Sequence, residues 1–208
     1  MERARYIAVD GPIGVGKSAL ATILAERLGS RLVSEPEGNP FLEGFYRDPR
    51  RYAFQAQVFY LLSRYHQQGE LVQEDLFRGG VVTDYLFSRD RVFAQLNLTA
   101  SELSLYDKVY GLLDAQAPRP DLVVYLQATP DVLLERVRRG KKTLPADYIA
   151  DVAKSYAEFF FTYTESPLLV VNTSEIDFVE SPADQDDLVA VIRRTRAGVS
   201  HYNPLGSR

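Results

Sequence analysis

The chain contains no cysteine and no tryptophan, and only two histidines, among its 208 residues. Without cysteine it can form no disulfide bond, no thiolate nucleophile and no cysteine-ligated zinc site. The histidines, His66 and His201, lie far apart in sequence and in unrelated contexts, so we expect neither to be catalytic. The absence of cysteine fits a reducing compartment, and we expect a cytoplasmic location.

The chain also lacks a basic excess and long apolar runs. It has 24 basic and 28 acidic residues, which gives no indication of a nucleic-acid partner. No uncharged apolar stretch reaches the ~18 residues of a membrane span, and no apolar signal-peptide segment precedes the first glycine. Apolar residues make up 46% of the chain, enough for a substantial core. We therefore expect a single domain over residues 1–208.

Short apolar runs alternate with helical patterns along the chain. The strand-like runs are 6–9, 32–34, 81–83, 122–126 and 168–171, and the helical patterns are 17–28, 49–68, 101–113, 129–140, 146–163 and 184–194. This alternation predicts an α/β domain with a five-stranded parallel sheet and helices on both faces. The tail, from about residue 196 to 208, has no periodicity and is expected to be loosely ordered.

A glycine-rich loop separates the first strand from the first helix. It fits the pattern G-x-x-x-x-G-K-[ST] at every fixed position, and its residues are Gly11, Pro12, Ile13, Gly14, Val15, Gly16, Lys17 and Ser18. Glycines let successive N–H groups point at phosphate oxygens, and the helix that follows adds its N-terminal partial charge. Lys17 is placed to reach the β- and γ-phosphates, and the Ser18 hydroxyl to bind Mg²⁺. The loop predicts a P-loop protein that binds ATP or GTP.

A second magnesium ligand is predicted at the end of the third strand. Asp84 directly follows the apolar run 81–83, where a carboxylate of a P-loop protein meets Mg²⁺. None of the five lysines follows an asparagine, so the N-K-x-D guanine motif of regulatory GTPases is absent.

Further motifs narrow the class of P-loop protein that the sequence predicts. Ser34-Glu35-Pro36 ends the second predicted strand, and the run from Phe45 to Gln57 leads into a long helix that continues to Leu62-Ser63-Arg64. Tyr46 and Gln57 are separated by ten residues, and a cation cluster surrounds Gly140. With the P-loop, this set closely resembles the deoxynucleoside kinase family, and most of all its bacterial deoxyadenosine/deoxyguanosine kinase branch. The resemblance extends to about residue 179.

The resemblance implies a P-loop kinase fold with a short lid at about 138–146, and a Mg²⁺-dependent transfer from ATP to the 5′-hydroxyl of a deoxynucleoside. Purine deoxynucleosides are favoured, in a salvage role, and a homo- or heterodimer through the long helices is expected. The implied nucleoside-binding residues are Glu35, Tyr46, Phe54, Gln57, Arg64, Tyr85 and Asp90. The implied residues near ATP, besides the P-loop, are Arg136, Arg139, Asp177 and Phe178, with Lys17, Glu35, Asp84 and Arg139 as the catalytic set.

The chemistry of these residues agrees with the resemblance. Glu35 follows a strand at the carboxyl edge of the sheet, where open α/β folds bind ligands, and a kinase needs a carboxylate near the acceptor hydroxyl. On the long helix, Phe54, Gln57 and Arg64 share one face by their spacing. Buried polar groups on an apolar face require partners, and a planar heterocycle would supply them.

The chain also departs from the family pattern. Many members have E-R-S after the third strand, where this chain has Asp84-Tyr85-Leu86; Arg89 or Arg91 is then expected to supply the missing arginine. The predicted lid carries no acid before Asp147. The assignment of the base to Glu35 or Asp84 stays open.

Two other functions compete with the kinase prediction. A nucleoside monophosphate kinase would need an arginine, rather than Glu35, near the second strand to bind the substrate phosphate. A non-catalytic nucleotide-binding subunit would have no need of Lys17, Ser18, Glu35 and Asp84 together.

Overall fold

The computed structural model of the chain describes residues 6–74, 79–140 and 144–204. The chain divides into two compact units. The first comprises Met1–Ser34, Gly79–Tyr85 and Arg119–Arg208, and the second comprises Glu35–Arg78 and Leu86–Pro118. Within the described residues, no helix is both long and apolar enough to cross a membrane.

Strands and helices alternate along the described chain. The strands are β1 (Tyr6–Asp10), β2 (Arg31–Val33), β3 (Val81–Thr83), β4 (Leu122–Gln127), β5 (Leu168–Asn172) and β6 (Val199–Tyr202). The helices are α1 (Lys17–Leu28), α2 (Leu42–Arg47), α3 (Pro49–Glu74), α4 (Asp90–Asn97), α5 (Ala100–Asp114), α6 (Pro130–Arg139), α7 (Ala146–Phe161) and α8 (Pro182–Arg194), with a 3-10 turn at Phe87–Arg89.

All strands of the described residues lie in the first unit, in one parallel sheet of order β2-β3-β1-β4-β5-β6. The predicted parallel α/β architecture is confirmed, but the predicted number of five strands is wrong. The sixth strand, β6, lies in the tail that we expected to be loosely ordered. It pairs with β5 through backbone hydrogen bonds, and its sequence Val-Ser-His-Tyr lacks the apolar run that marks a buried strand.

Two layers of side chains cover the sheet within the first unit. Val9 and Val124 face a core that also contains residues of α1 and α8. Because successive side chains of a strand point to opposite faces, Tyr125 faces the other side. There it stacks on Phe160 of α7, with ring centroids 4.1 Å apart. The sheet therefore carries helices on both faces, as the alternation of elements predicts.

Close backbone packing explains the first glycine of the P-loop. Gly11 has a φ of 153°, and a Cβ built there would lie 2.3 Å from the carbonyl oxygen of Leu126 in β4. Gly14 is equally confined, since its Cβ would lie 2.8 Å from a methyl group of Val137. The loop is thus pressed against β4 and α6, and only glycine fits.

The second unit consists of helices in its described residues. Leu61 of α3 packs with Phe87 and with Tyr106 of α5 in one apolar cluster, and α5 begins with a capping box formed by Thr99 and Glu102. The helix α3 is longer than predicted, and α2 and α4 were not predicted at all. Both are one to two turns long, too short for a periodic pattern to be visible.

We expect the substitution Gly11→Ala to lower the free energy of unfolding by at least about 2 kcal/mol, because a non-glycine residue in a strained conformation costs about 1–3 kcal/mol and the clash adds to it. Gly29→Ala is the control. Gly29 also has a positive φ, of 59°, but its Cβ would meet nothing within 4 Å, so about 1 kcal/mol is expected. Urea titration measures both values. Equal losses would contradict the packing argument.

Candidate active site

The P-loop of the first unit holds its lysine close to the backbone. The Lys17 ammonium donates hydrogen bonds to the carbonyl oxygens of Gly11, at 2.8 Å, and of Pro12, at 3.2 Å. Helix α1 begins at Lys17, so its free N-terminal N–H groups open toward the same loop. The arrangement is that of a phosphate-binding site, with a cation, a helix N-terminus and glycine backbone brought together.

The two predicted magnesium ligands lie in contact. The Ser18 hydroxyl donates a hydrogen bond of 2.7 Å to Oδ2 of Asp84, which is buried at the end of β3. One hydroxyl and one carboxylate suit Mg²⁺, which is typically bound by one or two protein oxygens together with waters and phosphates. A larger cluster of three or more acidic or histidine ligands is not found among the described residues.

The two arginines predicted to reach the phosphates have different surroundings. Arg136 donates hydrogen bonds to Thr173 and to the carbonyl oxygen of Ile176, so α6 is tied to the loop after β5. Burial lowers the pKa of Arg136, and the charge of Asp177 partly opposes that shift. Arg139 is exposed and pairs with Glu135 of its own helix. Residues 141–143 of the predicted lid lie outside the described residues.

The loop after β5 also reaches the P-loop. The Phe178 ring packs against Gly16, where a Cβ would lie 2.8 Å from the ring. Asp177 is exposed, and its carboxylate accepts the N–H groups of Val179 and Glu180. The structure therefore brings Phe178 to the start of α1, while Asp177 shapes the turn beyond it.

In the second unit, one glutamate meets two buried arginines. The side chain of Glu35 contacts Arg64 of α3 and, at 3.4 Å, Nη2 of Arg89. Both guanidinium groups are almost fully buried. Arg89 also lies over the Phe93 ring, 5.3 Å from its centroid. This carboxylate, one of the two predicted candidates for the base, is thus held between two cations.

Arg64 is shared between two carboxylates. Besides Glu35 it pairs with Asp90, the first residue of α4, whose side chain has no exposed surface. Asp90 in turn accepts a 2.7 Å hydrogen bond from the Tyr106 hydroxyl of α5. Asp90 directly follows the 3-10 turn Phe87–Arg89, which carries the chain inward.

Gln57 is a polar residue of α3 whose side chain makes no hydrogen bond to the described residues. It is 6% exposed, and within the described residues its amide bonds to nothing. It lies on the helix face that also carries Phe54, which is half-buried, and Arg64. A buried amide without a partner is costly, so this position favours a ligand with a paired donor and acceptor.

Two tyrosines complete the surroundings of Glu35. Tyr46 is 58% exposed, and its pKa is raised by burial of its hydroxyl and by the charge of Glu35. Tyr60 places its ring 4.9 Å from the guanidinium carbon of Arg64, and its pKa is raised first by burial and then by Glu35.

Sequence reasoning missed Tyr60 and Tyr106. Tyr60 lies three residues after Gln57 and four before Arg64, so the helical spacing on α3 carried a signal for it. For Tyr106, which lies on a different helix from Asp90, no local signal exists.

The remaining predicted residue, Tyr85, belongs to the first unit. It is fully buried, and its carbonyl oxygen accepts a hydrogen bond from Thr83. The other six predicted nucleoside-binding residues belong to the second unit. The structure also separates Arg89 from Arg91: the latter makes two hydrogen bonds, of 2.9 and 3.1 Å, to the half-exposed Asp107.

The parallel sheet and the glycine-rich loop define the class of protein, a P-loop nucleotide-binding protein. The comparison with protein families is more specific. The deoxynucleoside kinase family matches residues 7–195, which is nearly the whole chain. The chain therefore belongs to the deoxynucleoside kinase family, and it is a kinase that phosphorylates nucleosides.

Individual relatives agree with this family. A deoxyguanosine kinase of Bacillus subtilis is 31% identical over 203 residues, which cover 93% of this chain and 98% of the relative. A deoxyadenosine kinase of Dictyostelium discoideum is 34% identical, over 96% of this chain and 82% of the relative. The structure of deoxyadenosine kinase from M. mycoides with bound dATP superposes with a TM-score of 0.74 at 23% identity, over 90% of this chain and 97% of that one. This last likeness concerns the fold.

We expect Asp90→Asn to destabilise the protein by about 3–5 kcal/mol, because removal of one partner leaves a buried charge uncompensated. Asp107→Asn is the matched control, since it breaks the half-exposed pair with Arg91 and should cost less than about 1 kcal/mol. Urea unfolding of both variants measures the difference. A loss below about 1 kcal/mol for Asp90→Asn would show that the pair is not essential to stability.

Proposed function

We propose that the protein transfers the γ-phosphoryl group of ATP to the 5′-hydroxyl of a purine deoxynucleoside, deoxyadenosine or deoxyguanosine, in nucleoside salvage. The relatives carry these two substrates in their names. The observation that carries the assignment is the buried, unbonded amide of Gln57, on the helix face that also holds Arg64. A purine offers a neighbouring donor and acceptor, or two acceptors, at N7 and the C6 substituent, which an amide can pair.

The acceptor chemistry belongs to Glu35. Its carboxylate takes the proton of the 5′-hydroxyl while the 5′-oxygen forms a bond to the γ-phosphorus. The bond between that phosphorus and the bridging oxygen of ADP breaks, and ADP leaves with the electron pair. Tyr46, which is exposed and electrostatically coupled to Glu35, is suited to bind the sugar hydroxyl at the 3′ position.

The donor chemistry belongs to the P-loop. Lys17, which is held by loop carbonyl groups, turns toward the β- and γ-phosphates and stabilises charge that develops during transfer. Ser18 and Asp84 are the residues that would hold Mg²⁺, which neutralises phosphate charge when bound. Arg136 and Phe178 flank the loop on the side where the adenine of ATP is expected, and the exposed side chain of Arg139, which pairs with Glu135 of its own helix, can approach the phosphates.

Arg89 takes the role of the arginine that is missing after β3. It is buried and touches Glu35, whereas Arg91 is committed to Asp107. With Arg64, Arg89 gives the Glu35 carboxylate two cationic partners that fix its position.

A nucleoside monophosphate kinase fits this site less well. The two buried arginines of the second unit are both paired with Glu35, and the carboxylate would repel a substrate phosphate. A coupled assay of ADP release over nucleosides and nucleoside monophosphates tests the proposal. Release with purine deoxynucleosides supports it, release with monophosphates alone refutes it, and ATP binding without release indicates a non-catalytic subunit.

We expect Glu35→Gln to lower kcat by about 10²–10⁴-fold while nucleoside KM changes little, because the amide keeps the shape but cannot accept the proton. Glu37→Gln, at an exposed position two residues later, should leave kcat unchanged. Asp84→Asn should instead raise the Mg²⁺ concentration that is needed for half-maximal rate. If Asp84→Asn abolishes turnover at saturating Mg²⁺ and Glu35→Gln does not, the two roles are exchanged.

We expect Gln57→Ala to lower kcat/KM for deoxyadenosine and deoxyguanosine by about ten- to a hundredfold, because the base edge would be left unpaired in a dry site. The KM for ATP should be spared. Gln55→Ala, an exposed glutamine of the same helix, is the control. A loss below about threefold for deoxyadenosine, deoxyguanosine and deoxycytidine would show that the base does not lie against this face of α3.

The dimer and the cytoplasmic location stay predictions. Helix α5 exposes Leu105 and Leu112, two turns apart on one face, and α3 exposes Leu62. Such exposed apolar side chains on long helices support an association through this part of the second unit. The single domain and its lid are likewise proposals that rest on the family.

A further inference from the structure

A buried acid stands directly before the P-loop, and the proposed chemistry leaves it without a role. Asp10 ends β1 and has no exposed surface. One of its carboxylate oxygens, Oδ1, accepts the N–H of Gly11 at 2.7 Å and the hydroxyl of Tyr156 at 3.2 Å. Tyr156 lies on α7 and is itself fully buried. Helix α7 is thereby tied to the first peptide of the loop.

The same residue, Gly11, also carries the contact of the lysine. The Gly11 N–H points to Asp10, and the Gly11 carbonyl oxygen accepts Lys17 at 2.8 Å. A chain of hydrogen bonds therefore runs from Tyr156 through Asp10 and Gly11 to Lys17. There is no room for a side chain at Gly11, because a Cβ there would lie 2.3 Å from the Leu126 carbonyl oxygen.

The surroundings of Asp10 make its hydrogen bond with the Tyr156 hydroxyl important. Asp10 stands opposite Tyr125 in the register of β1 and β4. Burial, and then the charge of Asp10, raise the pKa of Tyr125. Tyr125 stacks on Tyr156 and Phe160, so aromatic rings line this side of the carboxylate. A hydrogen bond to a charged group contributes more than one between neutral groups, so the contact of the Tyr156 hydroxyl with this buried carboxylate holds α7 to the loop.

We propose that Asp10 and Tyr156 are positioning residues for the P-loop: the Tyr156 hydroxyl fixes the Asp10 carboxylate, which fixes the backbone of Gly11 and so the place from which Lys17 reaches the phosphates. The proposal rests on the proposed function only in requiring that the loop binds nucleotide phosphates. It assigns α7 a part in nucleotide binding, although Tyr156 lies 139 positions from Lys17 in the sequence.

The substitution Tyr156→Phe tests this, because it removes the hydroxyl alone. Isothermal titration calorimetry with ATP, in the absence of nucleoside, should show an affinity reduced about two- to tenfold, as one hydrogen bond is lost. The affinity for deoxyadenosine should change less than about twofold by the same conversion. Tyr163→Phe is the control. Tyr163 is also buried and packs on Phe159 and Phe160, and removal of its hydroxyl should change the affinity for neither ATP nor deoxyadenosine.

A double substitution separates positioning from general destabilisation. In a Lys17→Arg background, which keeps the positive charge, Tyr156→Phe should weaken ATP binding by less than about twofold further, because coupled residues do not act additively. Full additivity, an unchanged ATP affinity in the single variant, or an equal loss for ATP and deoxyadenosine would each overturn the proposal. Failure of the unaltered protein to phosphorylate any nucleoside, with normal ATP binding, would count against the proposed function alone.

Discussion

A guanidinium group with almost no access to water organises the second unit. Transfer of such a charge from water costs several kcal/mol, which only well-placed carboxylates offset. Arg64 meets this requirement with Glu35 from the segment after β2 and Asp90 from the start of α4. Tyr106 of α5 then binds Asp90. Each of these elements is held where it is because the arginine between them must be neutralised.

That requirement also shapes the chemistry. The carboxylate that we assign as the base is contacted by two arginines, which fix its position. The same arginine connects Glu35, which we assign to the acceptor hydroxyl, with the helix face of Gln57, which we assign to the base. Structural and functional demands on Arg64 are therefore hard to separate, because the contacts that stabilise the helices are also those that hold the reactive group.

The sequence was sufficient for the features that local patterns encode. The P-loop has an invariant spacing, the buried strands are short β-branched runs, and the stripe of Phe54, Gln57 and Arg64 follows helical periodicity. Edge strand β6 was not predicted, because it is held in place by backbone pairing with β5 and not by an apolar run. The choice between Arg89 and Arg91 could not be predicted either, since both follow β3. Only the 3-10 turn, which the sequence does not signal, turns Arg89 toward the interior. Contacts such as that of Tyr156 with Asp10 join residues far apart in the chain, so no sequence spacing predicts them.

The edge position of β6 has a practical consequence. Its four residues cover the backbone N–H and C=O groups of β5, a strand of five residues, four of them buried. Removal of the tail would turn β5 into an open edge, and uncovered apolar edges recruit strands from other molecules. Forms of the chain that lack β6 should therefore be prone to aggregate.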